Sequence, residues 1–164
     1  MLLGLALSIM QKLANNFNPM PTPTIKDVME ACAKDAEADA RRRGFALDYS
    51  EASLAQVDRI LELFVPEGVR TPNSKAEEEQ FWLLSKMYGG YIGQVVIKHM
   101  GGSWELDNLP EGSARIVLRS CGILGFPADK IYKRLTRDRF SCVGNYCRVL
   151  RAIVEHANKN AKNQ

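Results

Sequence analysis

The sequence predicts an α+β fold, with about five helices packed around one long central helix and a small antiparallel β-hairpin or sheet. Apolar residues recur at helical spacing along most of the chain, and the longest such stretch covers residues 74–102. Beyond Gly102 this period gives way to short runs rich in Trp, Ile, Val and Leu, as in strands. The composition, 46% hydrophobic and 25% charged over 164 residues, is typical of one soluble globular domain.

The first 23 residues are predicted to stand apart from a single domain at residues 24–160. They begin with the apolar run MLLGLALSIM, which has no basic residue ahead of it and is shorter than the roughly 20 residues needed to span a bilayer. We expect a short amphipathic helix within residues 1–17 that docks on the domain or on a partner. The linker NNFNPMPTP follows. A signal peptide or membrane anchor is the alternative.

Two helices are predicted ahead of the central one. The first covers residues 24–44, with Thr24 as its N-cap and Asp27 at the capping-box position. Its apolar face is thin, so we expect it at the periphery of the fold. That face consists of Ile25, Val28, Cys32 and then alanines. The second helix is expected over residues 48–64, with one apolar face formed by Leu54, Val57, Leu61 and Phe64.

The central helix has the clearest local signals. Ser74 and Glu77 form a capping box at its start, and a Gly-Gly pair ends it. Ser85, Gly89 and Gly93 fall four residues apart, so a groove with almost no side chain runs along one flank. Glycine inside a helix costs about 1 kcal/mol relative to alanine. We therefore expect a neighbouring backbone to pack closely against this flank.

The C-terminal third is predicted to contain the sheet and two more helices. Runs at residues 103–106 and 114–120 form a hairpin, and a third short strand follows it. A helix then opens at Pro127, a residue that suits the first turn. The last helix is expected from residue 140 to about residue 158. Its inner face would be formed by Phe140, Val143, Cys147, Leu150 and Val154.

Charge is distributed unevenly along the chain. Residues 1–114 carry 11 Lys or Arg against 16 Asp or Glu, whereas residues 115–164 carry 11 against 3. A basic C-terminal third suits an acidic partner, nucleic acid or the acidic part of the same fold. We favour the last interpretation, because complementarity within one fold needs no additional molecule.

Few residues offer catalytic chemistry. His99, one of two histidines, lies in the last turn of the central helix, where capping explains it better than catalysis. A pairing of Cys121 with His99 has no local signature in its favour. Asp107, Asn108 and Glu111 lack the spacing of an EF-hand loop, so neither a metal nor a cofactor is predicted. The four cysteines match neither a disulfide scaffold nor a zinc site, which favours a reducing, cytoplasmic location.

The helix opened by Pro127 carries the strongest candidate for a charged binding surface. Its basic residues recur at a spacing that forms a stripe able to follow phosphates. They are Lys130, Lys133, Arg134 and Arg137. A solvated face is the simpler interpretation, because the net charge is only +3 and no base-reading motif occurs. Trp104 likewise has two interpretations, a core anchor or the wall of a ligand pocket, and the first is favoured.

The central helix and the strand after it contain YGGYIGQVVIKHMGGSW, with LDYSEASLAQVDRIL before it and GFPADKIYKRL after it. These residues resemble a family of uncharacterised bacterial cytoplasmic proteins. The family shares a tyrosine-glycine helix, then Gly-Gly-x-Trp, then a Pro-x-x-Lys helix, and the similarity covers most of residues 45–150. It brings no catalytic residues with it. What it implies is an immunity-type protein, encoded beside a secreted antibacterial toxin.

The leading functional hypothesis is a non-catalytic protein-binding module, most concretely an immunity-type protein that blocks a toxin by occupying its active site. The shortage of catalytic groups and the separation of charges motivate it. The alternatives are a nucleic-acid-binding accessory protein that uses the basic stripe, and a small hydrolase or transferase built on His99 or Cys121. The predicted partner-binding residues are Asp35, Glu37, Asp39, Asp58 and Glu62.

Overall fold

The computed structural model describes residues 22–110 and 114–162, so the predicted N-terminal helix and Glu111 lie outside the described residues. The described part contains five helices and three strands, which confirms the α+β fold. In chain order they are α1 (Ile25–Arg42), α2 (Leu54–Phe64), α3 (Lys75–Met100), β1 (Ser103–Asn108), β2 (Ala114–Ser120), β3 (Ile123–Gly125), α4 (Pro127–Thr136) and α5 (Tyr146–Lys162). Within these ranges, none of the helices is both long and apolar enough to span a bilayer.

The three strands form one antiparallel sheet in the order β1-β2-β3. Strands β1 and β2 pair along their length, with Trp104 opposite Leu118. Between β2 and β3 the chain turns over Cys121 and Gly122, whose φ angles of 50° and 78° suit a two-residue hairpin loop. The predicted hairpin and its third strand are therefore confirmed.

Helix α3 lies at the centre of the fold, as predicted, and is buried along most of its length. The Ser74 hydroxyl caps it by accepting a hydrogen bond from the Glu77 N–H at 3.2 Å. The Glu77 carboxylate accepts from the Asn73 N–H at 2.8 Å, so only half of the predicted capping box forms. Glu77 also forms an ion pair with Arg70, which ties the preceding loop to the helix.

Glycines allow two neighbours to approach α3 closely. A methyl group at Gly89 would lie 2.7 Å from the Cα of Ala128, and one at Gly93 would lie 2.0 Å from the Trp104 ring. The predicted close packing is therefore present along this flank. A backbone fills the space only at Gly89, whereas an indole fills it at Gly93. Ser85, the third small residue, is fully buried.

Helix α1 packs on α3 through part of the predicted face, since Ile25 packs against the core and Cys32 lies beside Gly90. Val28 is exposed. The contact is close, because a methyl group at Gly90 would lie 2.9 Å from the Met29 carbonyl oxygen. Small alanine side chains let the two helices approach, while the opposite side of α1 is exposed. The buried residues of α1 include Met29, Ala33, Ala36 and Ala40.

Helix α2 begins at Leu54, later than the predicted start at residue 48. The residues before it form a turn. Tyr49 adopts the left-handed φ of 58°, and the Ser50 N–H donates to the Asp48 carboxylate at 2.9 Å. Local hydrogen bonds of this kind compete with helix formation, which explains the shorter helix.

Helix α5 also begins later than predicted, at Tyr146. Phe140, expected to face the core, is 84% exposed. The Asp58 carboxylate of α2 accepts hydrogen bonds from the N–H groups of Val143 and Gly144 at 2.9 and 2.8 Å, respectively. This contact across 85 residues holds the segment before α5 outside a helix, and no local sequence signal predicts it.

Candidate functional site

A buried hydrogen-bonded cluster ties α3 to the end of α1. The Tyr88 hydroxyl donates to the Asp39 carboxylate at 2.7 Å, and Arg43 donates to the same oxygen at 2.8 Å. Burial acts to raise the pKa of Asp39, but the hydrogen bonds from Arg43 and Tyr88 outweigh it and leave this pKa below its usual value. Burial, followed by the bond to Asp39, raises the pKa of Tyr88. The ionised carboxylate is thus matched to two donors, which stabilises the contact between the helices.

A second cluster ties α3 to the turn before α2. The Tyr91 hydroxyl accepts from the Tyr49 N–H at 2.8 Å and lies 2.6 Å from the Ser53 hydroxyl. Because Ser53 donates to the Ser50 carbonyl, Tyr91 is the donor in that pair. Every buried polar group in the two clusters therefore has a partner. We call Tyr88, Asp39, Arg43, Tyr91 and Ser53 the tyrosine network.

The two candidate catalytic residues do not form a pair. The Nε2 atom of His99 lies 2.9 Å from the Tyr49 carbonyl oxygen, and the Cys121 thiol lies 3.6 Å from the Met100 carbonyl oxygen. Neither residue lines any of the cavities described below. No arrangement of His99 and Cys121 among the described residues supports the hydrolase or transferase hypothesis.

The five acidic residues predicted to bind a partner have different environments. Asp39 and Asp58 are engaged inside the fold by the hydrogen bonds described above. Glu37 is half-buried and forms an ion pair at 2.8 Å with an arginine one turn further along α1. Asp35 and Glu62 are exposed, although Glu62 also bonds to Arg134 at 3.3 Å.

The basic stripe on α4 is interrupted. Arg134 is only 5% exposed, and its guanidinium lies 3.3 Å from Glu62 and 3.9 Å from Asp58. Its assignment to an exposed stripe was wrong, because two carboxylates of α2 hold it against the body of the fold. A stripe without its central arginine is a weaker phosphate surface. The remaining residues are exposed or half-buried: Lys130, Lys133 and Arg137.

Much of the charge asymmetry is neutralised within the fold. Arginines beyond residue 114 form ion pairs with carboxylates before it, as the favoured interpretation predicts. Partly exposed pairs of this kind each contribute little to stability, but they leave fewer cations for nucleic acid. The pairs are Arg115–Asp107, Arg119–Glu105, Arg134–Asp58, Arg134–Glu62 and Arg151–Glu51.

A cleft of about 400 Å³ opens beside the glycine flank of α3, and we call it the aromatic cleft. Trp82 lines it, is 38% exposed, and stacks on Tyr132 with ring centroids 4.2 Å apart and an interplanar angle of 17°. Neither ring was predicted as a site residue. The sequence feature that could have indicated this site is the position of Trp82 outside the apolar stripe of α3. The cleft is lined in part by Met29, Trp82, Lys86, Trp104, Ile116 and Ala128.

Charged groups surround the aromatic cleft. Lys86, Arg115 and Asp129 line it. Arg115 is fixed by an ion pair at 2.8 Å and by stacking over an aromatic ring, whereas Lys86 forms no ion pair among the described residues. Burial and then Asp35 raise the pKa of the Cys32 thiol, and Lys86 opposes them. Asp35 and Lys86 therefore both lie within electrostatic range of Cys32, although Asp35 does not line the cleft.

Trp104 lines both the aromatic cleft and a second cavity, of about 280 Å³. A further cavity of about 310 Å³ adjoins the second one, because Glu30 and Gln94 line both. Trp104 is only 8% exposed, which confirms its predicted position in the core. Its indole is nevertheless part of two cavity walls. We call the two adjoining cavities the lysine trough, after Lys26, Lys34 and Lys98.

The fold and its surfaces define a small α+β protein with an aromatic cleft and a basic trough on either side of one buried indole. Within residues 22–110 and 114–162, no group of three His, Cys, Asp or Glu side chains is placed to hold a metal ion. No protein-family model, curated protein or solved structure matches the chain. The family resemblance of the central helix therefore stays a prediction.

Proposed function

We propose that this chain is a non-catalytic module that binds a protein partner through the aromatic cleft. The observation that carries the proposal is the exposed stack of Trp82 on Tyr132 beside a largely apolar cavity. Aromatic residues and Met are enriched in protein interfaces, and Trp and Tyr dominate their hot spots. Because the two rings already hold each other in place, a partner pays little conformational entropy to order them.

The chemistry of the aromatic cleft favours an apolar side chain of the partner as its occupant. The apolar walls of the cleft include Met29, Ile116 and Ala128. Its charged lining residues are Lys86, Arg115 and Asp129. Burying a Leu, Ile or Phe side chain contributes about 1.5–3 kcal/mol. Lys86 and Asp35 would then orient the partner and raise its association rate, as rim charges do in other interfaces.

The finer proposal is an immunity-type protein that neutralises a bacterial toxin in the cytoplasm. Two features support it: the resemblance of the central helix to its bacterial family, and the exposure of Asp35 and Glu62 among the predicted partner-binding residues. Charged groups of this kind select and steer a partner even where they add little to its affinity.

The test uses the full chain and the product of the gene next to its own. The two proteins are mixed and titrated by calorimetry, and the chain is expressed in cells that produce the neighbouring protein. We expect a 1:1 complex and rescue of growth. Trp82→Ala should weaken the complex by about thirtyfold or more, because truncating a hot spot costs about 2 kcal/mol or more.

Gln80→Ala is the matched control, since Gln80 is exposed on the same helix and lies outside the cleft. It should leave the affinity unchanged. Asp35→Lys should slow association more than it speeds dissociation. The absence of both complex and rescue, or equal losses in Trp82→Ala and Gln80→Ala, would contradict the proposal.

A further inference from the structure

Two residues that line the same cavity each hold a buried hydrogen-bond donor without a partner among the described residues. Within the described residues, the buried side-chain nitrogen or oxygen atoms that lack a partner are Trp104 Nε1 and Gln94 Nε2. Both residues line the 280 Å³ cavity of the lysine trough. Buried polar groups in folded proteins are almost always paired, so two exceptions in one wall point to an acceptor from outside the chain.

Trp104 is the firmer of the two observations. Its indole N–H only donates, whereas the Gln94 amide holds a donor and an acceptor that exchange places when the amide rotates. The indole cannot easily move to find a partner, because its six-membered ring presses on Gly93. The carboxylate among the lining residues, Glu30, lies 3.8 Å from Lys26 and bonds to neither donor.

The charge around these donors favours an anion. Lys26 lines the cavity that contains Trp104, and Lys34 and Lys98 line the adjoining one. Lys34 and Lys98 are exposed and form no ion pair in the described part of the chain. The lining residues of the trough thus include three cations and one carboxylate, Glu30. Hydrogen bonds from such cations to a carboxylate are roughly twice as strong as neutral ones.

We propose that the lysine trough binds a small dicarboxylate. One carboxylate accepts hydrogen bonds from Trp104 and Gln94 beside Lys26, and the other lies in the adjoining cavity near Lys34 and Lys98. Gln94 lines both cavities and is half-buried, so its amide lies between the two proposed carboxylate positions. The inference is independent of the protein partner proposed above, because it uses a different cavity.

The test is a titration of the full chain followed by ¹H–¹⁵N NMR, which detects the Trp104 indole N–H directly. The chain has two tryptophans, so Trp82→Phe assigns the Trp104 resonance. Succinate is the probe, and acetate, inorganic phosphate and sodium chloride at equal ionic strength are the comparisons. We expect a saturable shift of the Trp104 resonance with succinate, at lower concentration than with acetate.

Two variants connect the shift to the trough. Gln94→Leu and Lys98→Met should each weaken succinate binding about tenfold, which corresponds to about 1.4 kcal/mol. Gln80→Leu and Lys75→Met are the matched controls on the same helix, and neither residue lines the trough. Lys98 is exposed, so its variant keeps the test valid if Gln94→Leu disturbs the fold.

Three results would overturn the proposal. If the Trp104 resonance shifts linearly with concentration, and equally with succinate and with sodium chloride, then only solvent or salt reaches the indole. Tighter binding of phosphate than of succinate replaces the proposed ligand class. Equal losses in the trough variants and their controls show that the anion binds elsewhere.

Discussion

The tyrosine network and the lysine trough both include residues of the central helix, but they differ in the hydrogen bonding of their buried polar groups. Tyr88 and Tyr91 have partners at 2.6–2.8 Å supplied by other parts of the chain. Gln94, three residues after Tyr91, has a buried nitrogen with no partner in the described part of the chain, as does the neighbouring Trp104. Satisfied groups stabilise a fold, whereas unsatisfied ones cost free energy that a ligand can recover. The first region therefore holds the molecule together, and the second is available for binding.

The largest effect is expected where α4 meets α3, on the flank shared with the aromatic cleft. Gly89→Ala places a methyl group 2.7 Å from the backbone of Ala128, which cannot move cheaply. Overpacking should outweigh the gain in helix propensity and lower the free energy of unfolding by about 3 kcal/mol, measured in urea. Gly144→Ala is the control, because its new methyl group would meet nothing closer than 3.4 Å. Equal stability of the two variants would contradict the close packing.

A smaller loss is expected when the tyrosine network loses one hydroxyl. Tyr88→Phe leaves the buried Asp39 carboxylate with one donor fewer, so the free energy of unfolding should fall by about 1.5–3 kcal/mol. Tyr132→Phe is the matched control, since its hydroxyl has no partner among the described residues. If the two variants unfold at the same urea concentration, Tyr88 does not hold the fold as described.

The pH dependence of stability sharpens the same point. Folding lowers the pKa of Asp39, so this carboxylate adds stability above its unfolded pKa of about 3.9, and the contribution is lost as the pH falls through the folded value. Asp39→Asn should therefore show a shallower loss of stability below about pH 4 than the unmodified chain. Denaturant unfolding at several pH values measures both slopes. Parallel curves would mean that Asp39 titrates alike in both states.

The smallest effect is expected from Gln94→Leu in the absence of added carboxylates. This change removes an amide whose buried nitrogen has no partner among the described residues, so the free energy of unfolding should not fall. Thermal and urea unfolding measure it beside Tyr88→Phe. A loss as large as that of Tyr88→Phe would erase the contrast between the two regions.

Local signals in the sequence predicted a large part of this fold. The cap at Ser74, the spacing of Gly89 and Gly93, and the change of period beyond Gly102 were sufficient to place α3 and the sheet. Each depends on residues a few positions apart. The buried face of α1 was predicted only in part, because its apolar side chains are short and do not define one buried direction clearly.

The features that the sequence did not predict depend on distant contacts. Asp58 bonds to the segment before α5, 85 residues further along the chain, and so fixes where that helix begins. Glu62 bonds to Arg134, 72 residues further along, and so keeps that arginine out of the exposed basic stripe. The candidate sites follow the same rule. Trp104 was predicted as a core anchor, and that was confirmed, but its lack of a hydrogen-bond partner emerges only when α1, α3 and β1 surround it.

The contrast between the two regions is tested most directly by crystal structures of the full chain grown with and without succinate, at a resolution that places ordered water. We expect Tyr88 and Tyr91 to keep their protein partners in both crystals. With succinate, a carboxylate oxygen should lie about 2.7–3.2 Å from Trp104 Nε1. A protein side chain that accepts the Trp104 hydrogen bond in both crystals would contradict the account.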